Sequence, residues 1–242
     1  MKNDFGKYTR DRVSDVPFDS NDTIYKAYKE KVPQFIGQAV YIYSFEKNRM
    51  LFANGWQELL GYKDEEITLL KIVSITSKRH FNFSNELNDK SLLFLKKIKK
   101  DLEAYSFTIE VEKSHKNGDV VPLFSRVGIY KSYAGTILEV IGISERIHSR
   151  KLGNVMQYAA FGPETSGFEE TLNEQLFHEL RISRKEKEAL ELASKGYAFK
   201  EIGKKLKVSQ SAIEKRLIPL YKRFNVKSLP HLISFAYDNQ IL

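Results

Sequence analysis

The sequence predicts two folded domains of different classes. The first is an α+β domain in which helices cover one face of an antiparallel sheet, and the second is an all-α domain of four helices. Alternating apolar residues recur in strand-length stretches from Gln38 to Ile143. Helical spacing of apolar residues takes over from Ile182. With 242 residues, the chain is long enough for both domains.

Residues 1–37 are predicted to form an arm followed by one helix. The arm is polar and lacks the apolar stretch of a signal peptide. Asp22 is a capping residue type, and Pro33 would end the helix that begins there. This helix is expected to pack on the next domain or on a second subunit.

The α+β domain is predicted to span residues 38–147, in the order two strands, several helices and three strands. The first two strands are expected at 39–45 and 50–53. Asn117-Gly118 predicts a two-residue hairpin turn, because such turns need positive φ angles. Further helices are predicted at 56–60, 64–67 and 84–104. Three more strands follow the helices. The first of them places Phe107, Ile109 and Val111 on one face, and the second places Val121, Leu123, Val127 and Ile129 on one face. The last strand is predicted at 137–143.

Residues 148–181 are predicted to link the two domains. The stretch 146–161 has a helical pattern that would continue out of the sheet as a connector. A cluster of breaker residues follows at 162–167, and another amphipathic helix is expected at 168–180.

The C-terminal domain is predicted to span residues 182–242. Ser183 and Glu186 form a capping box at the start of its first helix, and Gly196 favours the left-handed geometry that ends a helix. Ser209 is expected to cap a third helix over 210–224. Two helices joined by a tight turn are typical of a helix-turn-helix. The predicted buried stripe of the third helix is Ile213, Leu217, Leu220 and Phe224.

Positive charge is concentrated in this domain. Residues 182–242 contain 13 Lys and Arg and six Asp and Glu, a net charge of +7, whereas the whole chain carries +8. Such a local basic balance is typical of phosphate binding. A plain helical bundle with solvated lysines is the alternative interpretation.

The C-terminal segment has many residues at fixed spacing: Ile182-Ser183, Glu186, Glu188-Ala189-Leu190, Gly196, Lys200-Glu201-Ile202, Leu206, Val208-Ser209, Ile213, Leu220, Arg223-Phe224 and Val226. On these residues it resembles the LuxR-type DNA-binding domain over about 60 residues without a gap. The resemblance implies that the third helix enters the major groove and that the fourth often pairs subunits.

This resemblance and the local charge define the candidate site residues. Base contacts are expected from Glu214, Lys215 and Ile218. Phosphate contacts are expected from Lys200, Lys204, Lys205, Lys207, Ser211, Arg216, Lys222 and Arg223. The expected dimerisation residues are Leu229, Leu232, Ile233 and Ala236.

The sequence departs from the family pattern at Ala198, Ala212, Arg216 and Pro219. A proline inside a helix removes a hydrogen bond, so the reading helix is expected to kink or end near Lys215. Arg216-Leu217 is also similar to region four of sigma factors, although the polymerase-binding region that usually precedes it is not found. A module that docks on RNA polymerase or another regulator is therefore the alternative function.

Three motifs stand out within the stretch 38–147: Phe52-Ala53-Asn54-Gly55-Trp56, 59–67 and 140–147. On these motifs the stretch resembles a PAS domain. The resemblance implies a domain that senses a small molecule, holds haem or flavin, or pairs with another protein. No histidine lies on the predicted long helix, so no cofactor is assigned, and Tyr41, Tyr43, Trp56 and Phe107 are expected to be core or dimer contacts.

These patterns together predict a cytoplasmic bacterial transcription regulator that acts as a dimer on double-stranded DNA. The chain has no cysteine, which excludes disulfides and thiolate metal sites. It contains no phosphate-binding glycine loop, nucleophile elbow or histidine pair with metal spacing. We therefore expect neither catalysis nor a bound metal, while a small ligand in the PAS-like domain stays open.

Overall fold

A computed structural model of the protein describes residues 12–148, 152, 156–165, 168, 182–238 and 241–242. The chain folds into two compact units, of which the first contains a sheet and helices and the second only helices in its described part. This arrangement confirms the predicted fold class.

The N-terminal unit is built on an antiparallel sheet. Its described strands are β1 (Gln38–Ser44), β2 (Arg49–Asn54), β3 (Ser106–Ser114), β4 (Val120–Tyr133), β5 (Thr136–Arg146) and β6 (Tyr158–Phe161). Their order across the sheet is β2-β1-β5-β4-β3-β6. The first five strands and the helices between β2 and β3 follow the order that the sequence predicted.

Strand β6 corrects the prediction of a helical connector over 146–161. It pairs antiparallel with β3 from Ser106 to Ile109, so the sheet extends into the predicted linker. This pairing uses backbone groups at the edge of β3 that would otherwise need another partner. Of the helix predicted at 168–180, only the buried Phe168 belongs to the described residues.

Both predicted turns of the sheet, at 117–118 and 133–135, are present, but the first is longer than predicted. Instead of a two-residue turn, Asn117-Gly118 lies within a five-residue loop, where the Asn117 Oδ1 accepts from the Asp119 N–H at 3.0 Å. The two-residue turn joins β4 to β5 and consists of Ala134 and Gly135, with φ angles of +48° and +73°. Two consecutive positive φ angles are the requirement of the hairpin turn that matches strand twist.

The described helices of this unit are α1 (Thr23–Lys31), α2 (Trp56–Leu60), α3 (Leu69–Ser74) and α4 (Phe81–Leu95), with short 3₁₀ turns at Asp64–Glu66 and Leu102–Ala104. Asp22 caps α1 as predicted, because its Oδ1 accepts from the Ile24 N–H at 2.9 Å. Helix α3 was not predicted. Helix α4 begins earlier and ends earlier than the predicted 84–104, and Asp101 has a φ of +52° that an α-helix cannot include.

Helices cover both faces of the sheet, because the helix of the N-terminal segment packs on the following domain, which was one of the two predicted positions for it. Helix α4 lies against the face that contains Tyr41, and α1 packs on the opposite face against Val40 and Ile42. Tyr28 of α1 donates a hydrogen bond from its hydroxyl to the buried carboxylate of Glu139. Because both faces of β1 are apolar, both must be covered.

The C-terminal unit confirms the four predicted helices: α5 (Arg184–Ser194), α6 (Phe199–Lys205), α7 (Gln210–Arg223) and α8 (Leu229–Asp238). The capping box is present, since the Glu186 N–H donates to the Ser183 Oγ at 3.3 Å and the Ser183 N–H donates to Glu186 at 2.6 Å. One apolar core joins the helices, with Ala189, Leu190, Ile202, Ile213, Leu217, Leu220 and Leu232 fully buried. No helix in the described part of the chain is long and apolar enough to cross a membrane.

Candidate nucleic-acid interface

The turn between α6 and α7 depends on Gly203. A side-chain carbon at this position would lie 2.8 Å from the Val208 carbonyl oxygen, closer than such atoms can approach. The Val208 N–H donates to the Gly203 carbonyl at 2.9 Å, and Lys207 between them has a φ of +54°. The absent side chain therefore allows the close helix approach that makes this pair a helix-turn-helix.

Helix α7 has one buried side and one exposed side. Its first turn is capped by Ser209, whose Oγ accepts from the Ala212 N–H at 3.1 Å. Ile213, Leu217 and Leu220 are fully buried, which confirms the predicted stripe. The core therefore fixes the rotation of α7 about its own axis and determines which side chains point to solvent.

The three predicted base-contacting residues differ in exposure. Lys215 is exposed and Ile218 is 49% exposed, whereas Glu214 is half-buried. Gln210 donates from its Nε2 to the Glu214 Oε1 at 2.8 Å. The sequence reasoning missed Gln210, although its spacing of four residues from Glu214 on one helix was a usable signal.

Most of the predicted phosphate-contacting residues are exposed, and Arg216 is half-buried. Two of the cations also have contacts within the domain. The Lys205 Nζ lies 4.3 Å from the centre of the Tyr197 ring, and Arg223 pairs with Glu186 at 3.2 Å. The exposed members are Lys200, Lys204, Lys205, Lys207, Ser211, Lys222 and Arg223.

The Arg223–Glu186 pair joins the end of α7 to the start of α5. Partial burial of Glu186 opposes its ionisation, but hydrogen bonds from Ser183 and the charge of Arg223 outweigh this effect. The pKa of the Glu186 carboxyl therefore lies below its ordinary value. This contact anchors one end of the exposed surface of α7.

Pro219 does not end α7 near Lys215, which corrects the sequence prediction. The helix continues to Arg223, and its later turns include the buried Leu220. Pro219 has no N–H to donate to the Lys215 carbonyl, but both residues are exposed, so water can satisfy that oxygen. Tertiary packing outweighs the local preference of the proline.

The predicted dimerisation helix contributes much of its apolar face to its own domain. Leu232 and Ala236 are fully buried in the core of the C-terminal unit, and Leu229 and Ile233 pack against that core while remaining half-buried. Leu232 and Ala236 therefore cannot form the surface that was expected of them. Tyr237, which is 55% exposed, is the large side chain that α8 presents to solvent.

In the N-terminal unit, the four aromatic residues singled out in the sequence have two different roles. Trp56 and Tyr43 are core residues, but Tyr41 and Phe107 line a cavity of about 130 Å³. His80 is buried, and its Nδ1 accepts from a β3 backbone N–H at 3.0 Å. The described residues contain no cluster of side chains that could hold a metal ion.

The fold and this surface define a helix-turn-helix protein with a PAS-like N-terminal domain. Residues 181–236 match the family described as bacterial regulatory proteins, luxR family. The C-terminal unit is therefore a LuxR-type domain, as its sequence predicted.

Two curated relatives align with this domain. The chain is 38% identical over 61 residues to the oxygen regulatory protein NreC of Staphylococcus carnosus and 36% identical over 61 residues to NreC of Staphylococcus epidermidis. Each alignment covers 25% of this chain and only 28% of the relative.

Several solved structures show weak similarity. A phage VqmA–DPO complex aligns over 90% of this chain and 93% of its own, with 16% identity and a TM-score of 0.34. The PAS domain of a Colwellia psychrerythraea protein aligns over 52% of this chain and 98% of its own, with 14% identity and a TM-score of 0.39.

Proposed function

We propose that the protein is a DNA-binding transcription regulator in which the PAS-like unit controls the LuxR-type helix-turn-helix. The observation that carries this proposal is the exposed face of α7, where Lys215 and Ile218 project from a helix whose other side is fixed in the core. A rigid helix with exposed polar side chains is the element that reads base edges in the major groove.

The chemistry of the exposed residues supports the division into base and phosphate contacts. Lys215 is proposed to donate to guanine, and Glu214 to accept from the amino group of cytosine. The surrounding lysines supply the attraction to phosphates that does not depend on sequence. Because one short reading helix gives little specificity, we propose that a homodimer binds a two-fold-related site.

The proposed role is regulatory and not catalytic. The matched family consists of regulatory proteins. The described residues form no metal-binding cluster, and the proposed DNA-binding surface requires none. A protein that reads bacterial DNA acts in the cytoplasm, so we propose that location.

The test compares a base-contact variant with a phosphate-contact variant of the full chain. A duplex selected from a random pool and an unrelated duplex would be titrated by fluorescence anisotropy at several salt concentrations. Lys215→Ala is expected to cost about 1–3 kcal/mol on the selected duplex alone. Lys205→Ala should weaken binding to both duplexes alike and reduce the slope of log affinity against log salt concentration by about 1.

Lys131→Ala is the matched control, because Lys131 is an exposed lysine on β4 of the other unit. It should leave both affinities unchanged. Equal losses on both duplexes for Lys215→Ala would contradict its role in base reading.

An interaction module that docks on RNA polymerase is the second candidate, favoured by the partly exposed apolar side chain of Ile218. It predicts that the full chain ignores duplexes even at low ionic strength. In that case, Ile218→Ala should weaken binding to purified polymerase, whereas the DNA-binding proposal expects no such effect.

A further inference from the structure

The inner face of the sheet encloses a cavity of about 130 Å³. Its wall is largely apolar and is formed by the sheet on one side and by α3 and α4 on the other. Apolar cavities of about 150 Å³ accommodate benzene. The space therefore suits one compact molecule with a single ring or a short branched chain. Apolar residues on the wall include Leu69, Val73, Leu87, Ile109, Val127 and Val140.

A buried charged side chain, Lys113, interrupts this apolar wall. Lys113 lies near the end of β3 and is only 5% exposed. Its Nζ donates to the Ile72 carbonyl and to the Thr76 Oγ1, both at 2.7 Å. An ammonium group has three donors and a full positive charge, whereas both of these acceptors are neutral.

Among the described residues that line the cavity, none is a carboxylate that could balance this charge. The ionisable groups of that lining are Tyr41, Lys113 and Arg126, and Arg126 is exposed to solvent. The neighbouring Glu112 alternates to the other side of β3, where it lies 3.7 Å from Arg79. Burial lowers the pKa of Lys113 to about 7 and raises the pKa of Tyr41. A lowered lysine pKa is the expected result of a buried cation without an opposite charge.

A second polar group on the wall has no hydrogen-bond partner among the described residues. It is the buried hydroxyl of Ser91 on α4. Leaving such a group unpaired costs about 1–3 kcal/mol, so buried hydroxyls usually have partners. Ser91 and Lys113 both line the same cavity. A ligand with a polar group can therefore supply an opposite charge to Lys113 or a hydrogen-bond partner to Ser91.

We propose that this cavity binds a small, compact apolar molecule with one anionic group, which pairs with the Lys113 ammonium while the apolar part fills the space beneath. A short or aromatic carboxylic acid has this chemistry, as does an acidic ring hydroxyl. That such a molecule controls DNA binding rests on the proposed function, whereas its binding to the cavity does not.

The pairing has a defined cost and gain. Removing an anion from water is unfavourable unless a charge-assisted hydrogen bond replaces its hydration. Lys113 is already desolvated and is held by Ile72 and Thr76, so the ligand does not have to order it. A neutral ligand of the same outline would fill the space but leave the ammonium without a counter-charge.

Benzoate and benzamide test this requirement, because they share one outline and differ in charge. Calorimetric titration of the full chain at neutral pH should show benzoate binding at least about ten times more tightly than benzamide. Lys113→Met should abolish this preference, since methionine keeps an unbranched apolar side chain without the charge. Lys131→Met, on the exposed part of β4, is the matched control and should keep it.

A second variant guards against a folding defect at Lys113. Ser91→Phe places a ring in the cavity and leaves the lysine intact, so it should abolish binding of both compounds. Circular dichroism would establish that each variant is folded.

Equal affinity for the two compounds, unchanged binding by either variant, or no binding of benzoate up to millimolar concentration would each overturn the proposal. DNA binding by the same preparations, measured without benzoate, separates this result from the proposed function. If the protein binds benzoate but not DNA, only the proposed regulatory function is contradicted. If it binds DNA but not benzoate, only the proposed cavity site is contradicted.

Discussion

The two units differ in where their candidate functional groups lie: at the surface in the C-terminal unit and in the interior in the N-terminal unit. In the C-terminal unit, Leu217 and its neighbours fill the interior, and Lys215 stands outside on the same helix. In the N-terminal unit, Lys113 lies inside, beside unfilled space. The C-terminal unit fills its core and carries its candidate contacts on its surface, whereas the N-terminal unit leaves a cavity inside its core.

Because of this difference, substitutions in the two cores should affect stability in opposite directions. A truncation inside the C-terminal core should damage DNA binding through unfolding, without touching a contact residue. Removal of the charge inside the N-terminal core should increase stability and still remove the proposed site, since natural proteins often lose stability at functional sites. Trp56 is the single tryptophan and is buried in the N-terminal unit, so its fluorescence follows that unit alone.

The largest effect is expected for Leu217→Ala. Removing a fully buried leucine side chain leaves a cavity and should lower the free energy of unfolding of the C-terminal unit by about 3–4 kcal/mol. Denaturation followed by far-UV circular dichroism should reveal the loss, while the transition of Trp56 fluorescence stays in place. Ile218→Ala on the exposed side is the control and should change stability little. A matching shift in the Trp56 transition would contradict independent behaviour of the two cores.

The next effect has the opposite sign. Lys113→Met should raise the free energy of unfolding of the N-terminal unit by about 2 kcal/mol at neutral pH, because it removes a buried unpaired charge. The folded pKa of about 7 lies below the ordinary lysine pKa of 10.5, so the unfolded chain binds more protons than the folded chain between these two pH values. Wild-type stability should therefore rise with pH across this window, and the advantage of the variant should shrink.

Urea denaturation followed by Trp56 fluorescence, at neutral pH and near pH 10, measures this change. Lys131→Met should show no pH-dependent difference from the wild type. A variant less stable than the wild type at neutral pH would mean that the bonds to Ile72 and Thr76 outweigh the burial of the charge.

The smallest effect is expected for Glu186→Gln in the C-terminal unit. The variant loses the charge that pairs with Arg223 and should be less stable by about 0.5 kcal/mol near neutral pH, as partly exposed ion pairs are. Because the folded pKa of Glu186 is lowered, its contribution is present above the unfolded value of 4.5 and is lost as pH falls through the folded pKa. Far-UV denaturation curves of variant and wild type should converge in acid, and a constant difference would contradict this cause.

The C-terminal unit was predictable from sequence because its signals are local. The capping box at Ser183, the glycine at Gly196 and the apolar stripe of α7 each act within a few residues. Pro219 was misjudged for the same reason. Its local preference for breaking a helix is overcome by packing of Leu220, and that packing depends on residues distant in sequence.

The role of Lys113 was missed although the sequence contained a signal. Phe107, Ile109 and Val111 were assigned to the buried face, and the same alternation places Lys113 next on that face. A lysine near the end of a strand is usually taken to reach solvent, even when the alternation places it on the buried face. Only the partners Ile72 and Thr76 and the nearby cavity distinguish a buried amine from an exposed one.

Strand β6 could not be predicted because its partner is 50 or so residues away in sequence. Tyr158–Phe161 is short and carries no alternation strong enough to define a strand by itself. Its pairing with β3 was therefore invisible to local patterns, and the stretch was assigned to a helix.

That pairing has a mechanical consequence. The strand that carries Lys113 is paired by backbone hydrogen bonds with Tyr158–Phe161, the last strand that the structure describes before the helix-turn-helix. If a ligand in the cavity shifted β3, the short strand β6 would have to move with β3, or the hydrogen bonds between the two strands would break. The last described strand before the helix-turn-helix is therefore paired with β3, which forms part of the cavity wall.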